Sequence, residues 1–207
     1  MIQIHSTSER KSVHDLLKSL GFSTHQARTV RKTEEIPEKS DDTVLVRLYS
    51  DDPIKVFESV LEARDRGCTG NIGFLPSANP KTRYPAFENS EDAVLRISDA
   101  CRITQAADTY YIDLSKTTCD DPSEEYARCV QAIMWTRQVV SPHTLVMPNI
   151  TPERTNNRST AAAQMAAIHD LGVADVFWHT DPLTDDEKLK QTAEDLSQVL
   201  LDTYDPA

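Results

Sequence analysis

The sequence predicts an α/β protein: a mainly parallel sheet of about six strands with alternating helices, arranged either as an open doubly wound sheet or as an incomplete β/α-barrel. Three observations predict it. Six short apolar runs recur along the chain, at Ile2–Ile4, Val44–Leu48, Asn71–Leu75, Tyr110–Ile112, Thr144–Met147 and Asp175–Trp178. Each is followed by residues at helical spacing, and a helix that carries the chain back to the same end of the sheet is the usual link between parallel neighbours. The 207 residues suffice for one substantial core. They fall short of the roughly 250 of an eight-stranded barrel, which favours the open sheet. The expected organisation is a single α/β domain over 1–207, with a polar, partly basic connecting segment at about 22–42.

Taken in order, the first helix starts near Ser8, sets Val13, Leu16, Leu17 and Leu20 on one face, and stops at Gly21. In the connecting segment Ser23-Thr24 reads as the cap of a second helix through Thr33, ended by Pro37, or the stretch is a simple connection. After the run at Val44–Leu48, Asp51-Asp52-Pro53 supplies a cap and a first-turn proline for a helix bearing Val56, Phe57, Val60 and Leu61, closed by Gly67. The stretch from Pro76 to Asn89, with Pro76, Pro80 and Pro85, reads as a long loop at a strand end, where lids and binding walls form. Ser90 begins a helix with Ala93, Val94, Ile97, Ala100 and Cys101 on one face, and Ser123-Glu124-Glu125 an acidic start that suits the positive end of the next. That helix carries Tyr126, Cys129, Val130, Ile133, Met134 and Val140. Pro148 to Arg158 is a second polar loop, Ser159 caps an alanine-rich helix ending at Gly172, and a last helix from Thr184 sets Leu189, Ala193, Leu196, Val199 and Leu200 against acids.

Composition narrows the function. A net charge of −11 argues against binding a nucleic-acid backbone, which relies on clustered cations. A basic bias up to residue 40 and an acidic last helix read as solvated faces. No apolar run approaches the roughly 20 residues that span a bilayer, and the start lacks the plan of a secretory signal, so the expected location is cytoplasmic. Cys68, Cys101, Cys119 and Cys129 form no C-x-x-C pair and read as reduced thiols, with Cys119 alone placed in a polar loop where reactivity is conceivable. No cofactor or metal is assigned. The expected partner is a small-molecule substrate, without membrane, with room for a protein partner or homo-oligomer.

In parallel sheets ligands collect at the carboxyl ends of the strands. Those ends here carry His5, Ser50, Ser77, Asp113, Asn149 and His179. Asp113 follows Tyr110-Tyr111-Ile112, so its carboxylate emerges beside an apolar surface that raises a carboxyl toward general-acid range, and it is the first catalytic candidate. The alternative is a turn cap. His179, two residues before Asp181, is the second: a base or ligand oriented by that carboxylate, or else a plain strand end before Asp181-Pro182. Arg47, inside a strand, needs a buried acid or an anionic ligand, unless its strand is an edge that reaches water. Arg47, Ser77, Lys81, Arg83 and Asn149 form the candidate substrate-binding set.

Dinucleotide, P-loop, zincin, nucleophile-elbow and EF-hand motifs are all absent from the sequence. Val44–Ser50 resembles an early strand, and Gly172–Trp178 a late strand, of β/α-barrel glycoside hydrolases. The resemblance is local to these fragments, and the acid pair of that chemistry has no second member unless Asp181 supplies it. The reading that results is an α/β enzyme acting on a polar sugar-containing or anionic substrate by acid–base hydrolysis or group transfer. The competing reading is a noncatalytic interaction or assembly protein that retains an enzyme-like α/β scaffold.

Overall fold

The computed structural model describes residues 3–7, 11–19, 23–30, 35–39, 43–48, 53–76, 108–114, 119–150, 158–178 and 185–203. Among these residues the strands are β1 (Gln3–Thr7), β2 (Ser23–Val30), β3 (Val44–Leu48), β4 (Ile72–Pro76), β5 (Thr109–Asp113), β6 (Leu145–Ile150) and β7 (Asp175–Trp178). The helices are α1 (Lys11–Ser19), α2 (Pro53–Asp65), α3 (Pro122–Val139), α4 (Arg158–Asp170) and α5 (Asp186–Thr203). The expected loop from Ser77 and the helix expected from Ser90 lie outside the described residues.

The strands neighbour one another in chain order, and every ladder found is parallel. β1 also pairs with β7, Gln3 opposite Asp175 and His5 opposite Phe177. That pairing selects the barrel-like order over the open doubly wound sheet, which leaves its first and last strands unpaired with each other. The seventh strand explains the difference from the six expected: residues 23–30 form β2, not a capped helix. The backbone there pairs with β3, Arg28 opposite Val44 and Val30 opposite Val46. Thr24, Thr29 and Val30 are β-branched and suit a strand, while only Ala27 and Val30 are buried, so the apolar alternation that marks a strand is too sparse to read.

The residues divide into two compact units. One comprises Met1–Gln26, Asp113–Gln131 and Met147–Ala207. Its buried residues include Ile4, Leu17, Leu114, Met165, Ile168, Phe177 and Trp178. The last helix buries Leu189, Ala193, Leu196 and Val199, the stripe its spacing predicts, and packs on α1 and α4. The alanine-rich α4 buries Ala163 and Ala167 together with Gln164, Met165 and Ile168.

The other unit comprises Ala27–Ile112 and Ala132–Val146. Val30, Ile36, Val44, Val60, Ala63, Cys68 and Ile72 form its core, with Tyr110 against them. Leu61, expected on this apolar face, is exposed, as is Met134 of α3. Gly73 is a requirement of packing: a Cβ there would collide with Cε2 of Tyr111. Gly67 and Gly172 stop α2 and α4 as the spacing predicts, with φ of 93° and 63°. In both, the N–H of the next residue reaches back five positions, Cys68 to Ala63 and Val173 to Ile168, each at 3.1 Å.

Candidate functional site

β5 delivers Asp113 as its last residue, and a buried polar network fixes the chain just beyond it. Leu114 is fully buried and its carbonyl accepts from Nε2 of Gln164 at 3.4 Å. Gln164 also donates to Oε1 of Glu125 at 2.7 Å. Glu125, in the first turn of α3, is itself fully buried, and its Oε2 accepts from the backbone N–H of Cys119 at 2.9 Å. Cys129 adds an Sγ–H bond to Oε1 at 3.4 Å, and Thr160 donates to the carbonyl of Cys119 at 3.3 Å. Leu114 and Cys119 are thus held by side chains from α3 and α4. A buried carboxylate is stable when donors match its oxygens, and these bonds account for Glu125 at that depth.

Sequence reasoning missed Glu125 and Gln164. Glu125 reads as a dipole-compensating acid, and the first turn is in fact capped by Asp121, whose Oδ1 accepts from the N–H groups of Ser123 and Glu124 at 2.8 and 3.2 Å. Glu125 turns inward instead. Gln164 stands among alanines whose small size leaves it the only long polar side chain on that buried face.

β6, β7 and β1 carry a second set. Asn149 lies opposite Phe177, and Phe177 opposite His5, so the three occupy one row across adjacent strands. Asn149 is 2% exposed, and its Oδ1 is buried without a hydrogen-bond partner among the described residues. It lies within β6 and not in the expected loop after it, because pairing with β7 continues through Ile150. His5 likewise sits inside β1 and not at its end. Its Nε2 bonds Oδ1 of Asp175 at 2.8 Å, which directs the ring toward the amino end of β7 and away from the strand carboxyl ends. Burial lowers the His5 pKa, outweighing the hydrogen bond and charge of Asp175, and His25 lowers it further.

The remaining candidates separate. Arg47 occupies the position opposite Leu75, in a strand paired on both sides, so the edge-strand alternative does not hold. His179, Ser77, Lys81 and Arg83 lie outside the described residues. The Cys119 thiol is pushed up first by desolvation and further by Glu125 and Glu124, the opposite of an activated cysteine. Burial pushes the Tyr110 phenol up to about 12, which removes it from acid–base work near neutrality. Among the described residues, no group of three or more His, Cys, Asp or Glu could hold a metal ion. No described helix is long and apolar enough to cross a membrane.

No protein-family model matches the chain, and no curated protein does. Solved structures do. The chain is similar to bee venom hyaluronidase over 98% of each chain, with 9% identity and a TM-score of 0.63. The fold is shared. At that identity nothing beyond the fold carries over. A thermostable xylanase mutant from Cellvibrio japonicus matches 96% of this chain and 65% of its own, at 11% identity and a TM-score of 0.42. A D-psicose 3-epimerase from Clostridium cellulolyticum H10 matches 98% of each chain, at 12% and 0.32. These two likenesses are too loose to bear on the argument.

Proposed function

We propose that this chain is an enzyme acting on a sugar-containing substrate by acid–base hydrolysis or group transfer, with Asp113 as the proton donor or acceptor. The observation that carries the reading is the position of Asp113: it closes a parallel strand, and the chain behind it is fixed at Leu114 and Cys119 by buried hydrogen bonds. A catalytic carboxylate needs that kind of anchorage, since acid–base catalysis depends on hydrogen-bond reach to the reacting proton. Asn149 supports it as a substrate contact, because a buried amide oxygen with no partner among the described residues can accept from a substrate hydroxyl. The fold shared with a hyaluronidase agrees with a sugar substrate. His179, next after β7, is assigned as the partner of Asp113, and Asp181 as the second carboxylate that two-acid glycoside cleavage requires.

The test is release of reducing ends from hyaluronan fragments, xylo-oligosaccharides and aryl glycosides by the purified chain, with Asp113→Asn and Asp181→Asn in parallel. Cleavage of one class that both substitutions abolish supports the reading. Cleavage that survives Asp113→Asn, or no turnover across the panel, overturns it.

A further inference from the structure

The imidazole of His5 is constrained on three sides. Its Nε2 meets Oδ1 of Asp175 at 2.8 Å, and because a carboxylate only accepts, this bond places the proton of the neutral ring on Nε2. Its other nitrogen, Nδ1, is buried and has no hydrogen-bond partner among the described residues. One face stacks on the ring of His25, with centroids 5.0 Å apart and planes at 26°. Among the described residues, the charged and titratable groups acting on it are Asp175 from β7 and His25 from β2. The other histidine of this region, His14 on α1, turns to Thr24 instead, at 3.4 Å.

We propose that His5, Asp175 and His25 form an acid-operated latch on the β7–β1–β2 seam, closed while His5 is neutral and released when a second proton reaches its ring. That proton has one place to go. It must sit on Nδ1, where it creates a buried N–H that no described residue accepts, and a buried donor left unmatched is costly. The resulting cation also faces the His25 ring. Asp175 attracts the cation, but in the closed state burial outweighs that attraction and holds the ring below its ordinary 6.5. The sign follows from linkage. A histidine whose folded pKa is lowered takes up a proton on opening, so the closed state is favoured above the ordinary imidazole range. It loses ground as pH falls toward the folded value, below which the difference is constant. Within that window one proton makes the opening equilibrium rise by up to about tenfold per pH unit.

The experiment combines side-chain NMR titration of the histidines with amide hydrogen exchange at pH 7.5 and 5, corrected for intrinsic rates. Expected is a His5 midpoint below 6.5, raised by His25→Gln, which removes the stacked imidazole, and lowered by Asp175→Asn. Protection of Ile4 and Val176 should fall several-fold more than that of α4 at the lower pH, and His5→Gln should abolish the extra loss. A His5 midpoint at or above 6.5, or the same acid sensitivity of β1 in His5→Gln, overturns the proposal. If His5→Gln does not fold, an unmoved His5 midpoint in His25→Gln overturns it equally.

Discussion

Asp113 and Gly73 show how differently single residues serve the same kind of strand. Asp113→Asn keeps size and much of the hydrogen bonding, and the anchorage behind it comes from Leu114, Glu125 and Gln164. Turnover of a cleaved glycan should fall about 10²- to 10⁴-fold, the usual effect of losing a general acid or base, with a melting temperature close to the parent's. A lower melting temperature with turnover intact would make it a turn residue. Gly73→Ala should do the reverse. The added methyl meets Tyr111, itself fully buried, so the ring must shift; overpacking of this kind costs about 1–3 kcal/mol. Denaturant unfolding of Gly73→Ala, and of the same change with Tyr111→Leu, should show the loss and then its partial recovery. Asp113 was legible because it follows an apolar run. Glu125 and Gln164 were not, because a polar residue on a helix looks solvated until the partner helix is in place.

Elements are joined by polar clasps that no local pattern announces. At the end of α2, Nη1 of Arg64 donates to the carbonyls of Cys68 and Gly70 at 2.9 and 2.6 Å, while Nη2 bonds Asp108 just before β5. The same Oδ2 of Asp108 accepts the N–H of Ile72, the first residue of β4, at 2.7 Å. One carboxylate therefore holds a helix end and two strand starts. Asp108→Ala removes the acceptor of Nη2 and that of a backbone donor at once, and stability should drop by about 1–3 kcal/mol in urea melts. Arg64→Ala, which leaves the Ile72 bond in place, should cost less. A surface-like effect near zero for Asp108→Ala would show that water replaces the clasp. β2 belongs to the same scale. Its Ser23-Thr24 start has the chemistry of a helix cap, and partner strand β3 decides the outcome, since backbone pairing satisfies groups that a cap would otherwise serve.

For the whole molecule, the pairing of β1 with β7 is expected to set the slowest step of assembly. His5 and Asp175 are 170 positions apart, so their contact closes a loop that spans most of the chain, and non-local parallel pairing is slow. Trp178, fully buried on β7, reports it, whereas Trp135 is 41% exposed and is replaced by Phe to clear the signal. On refolding, helical circular dichroism should recover before Trp178 fluorescence, with the second phase slower by at least tenfold. Coincident single-phase recovery would show that the seam forms with the helices.

By itself the sequence determined the parallel α/β class, four of the apolar strand centres together with the strand at Asp175–Trp178, the two glycine helix stops and the position of Asp113, because each depends on local periodicity or on the conformation of one residue. Only the tertiary structure decided the seventh strand, the return of β7 to β1, the inward turn of Glu125 and the coupling of His5 to Asp175. These depend on partners far away along the chain, and the free energy that selects them arises in pairing and burial, to which a local pattern contributes nothing until the elements meet.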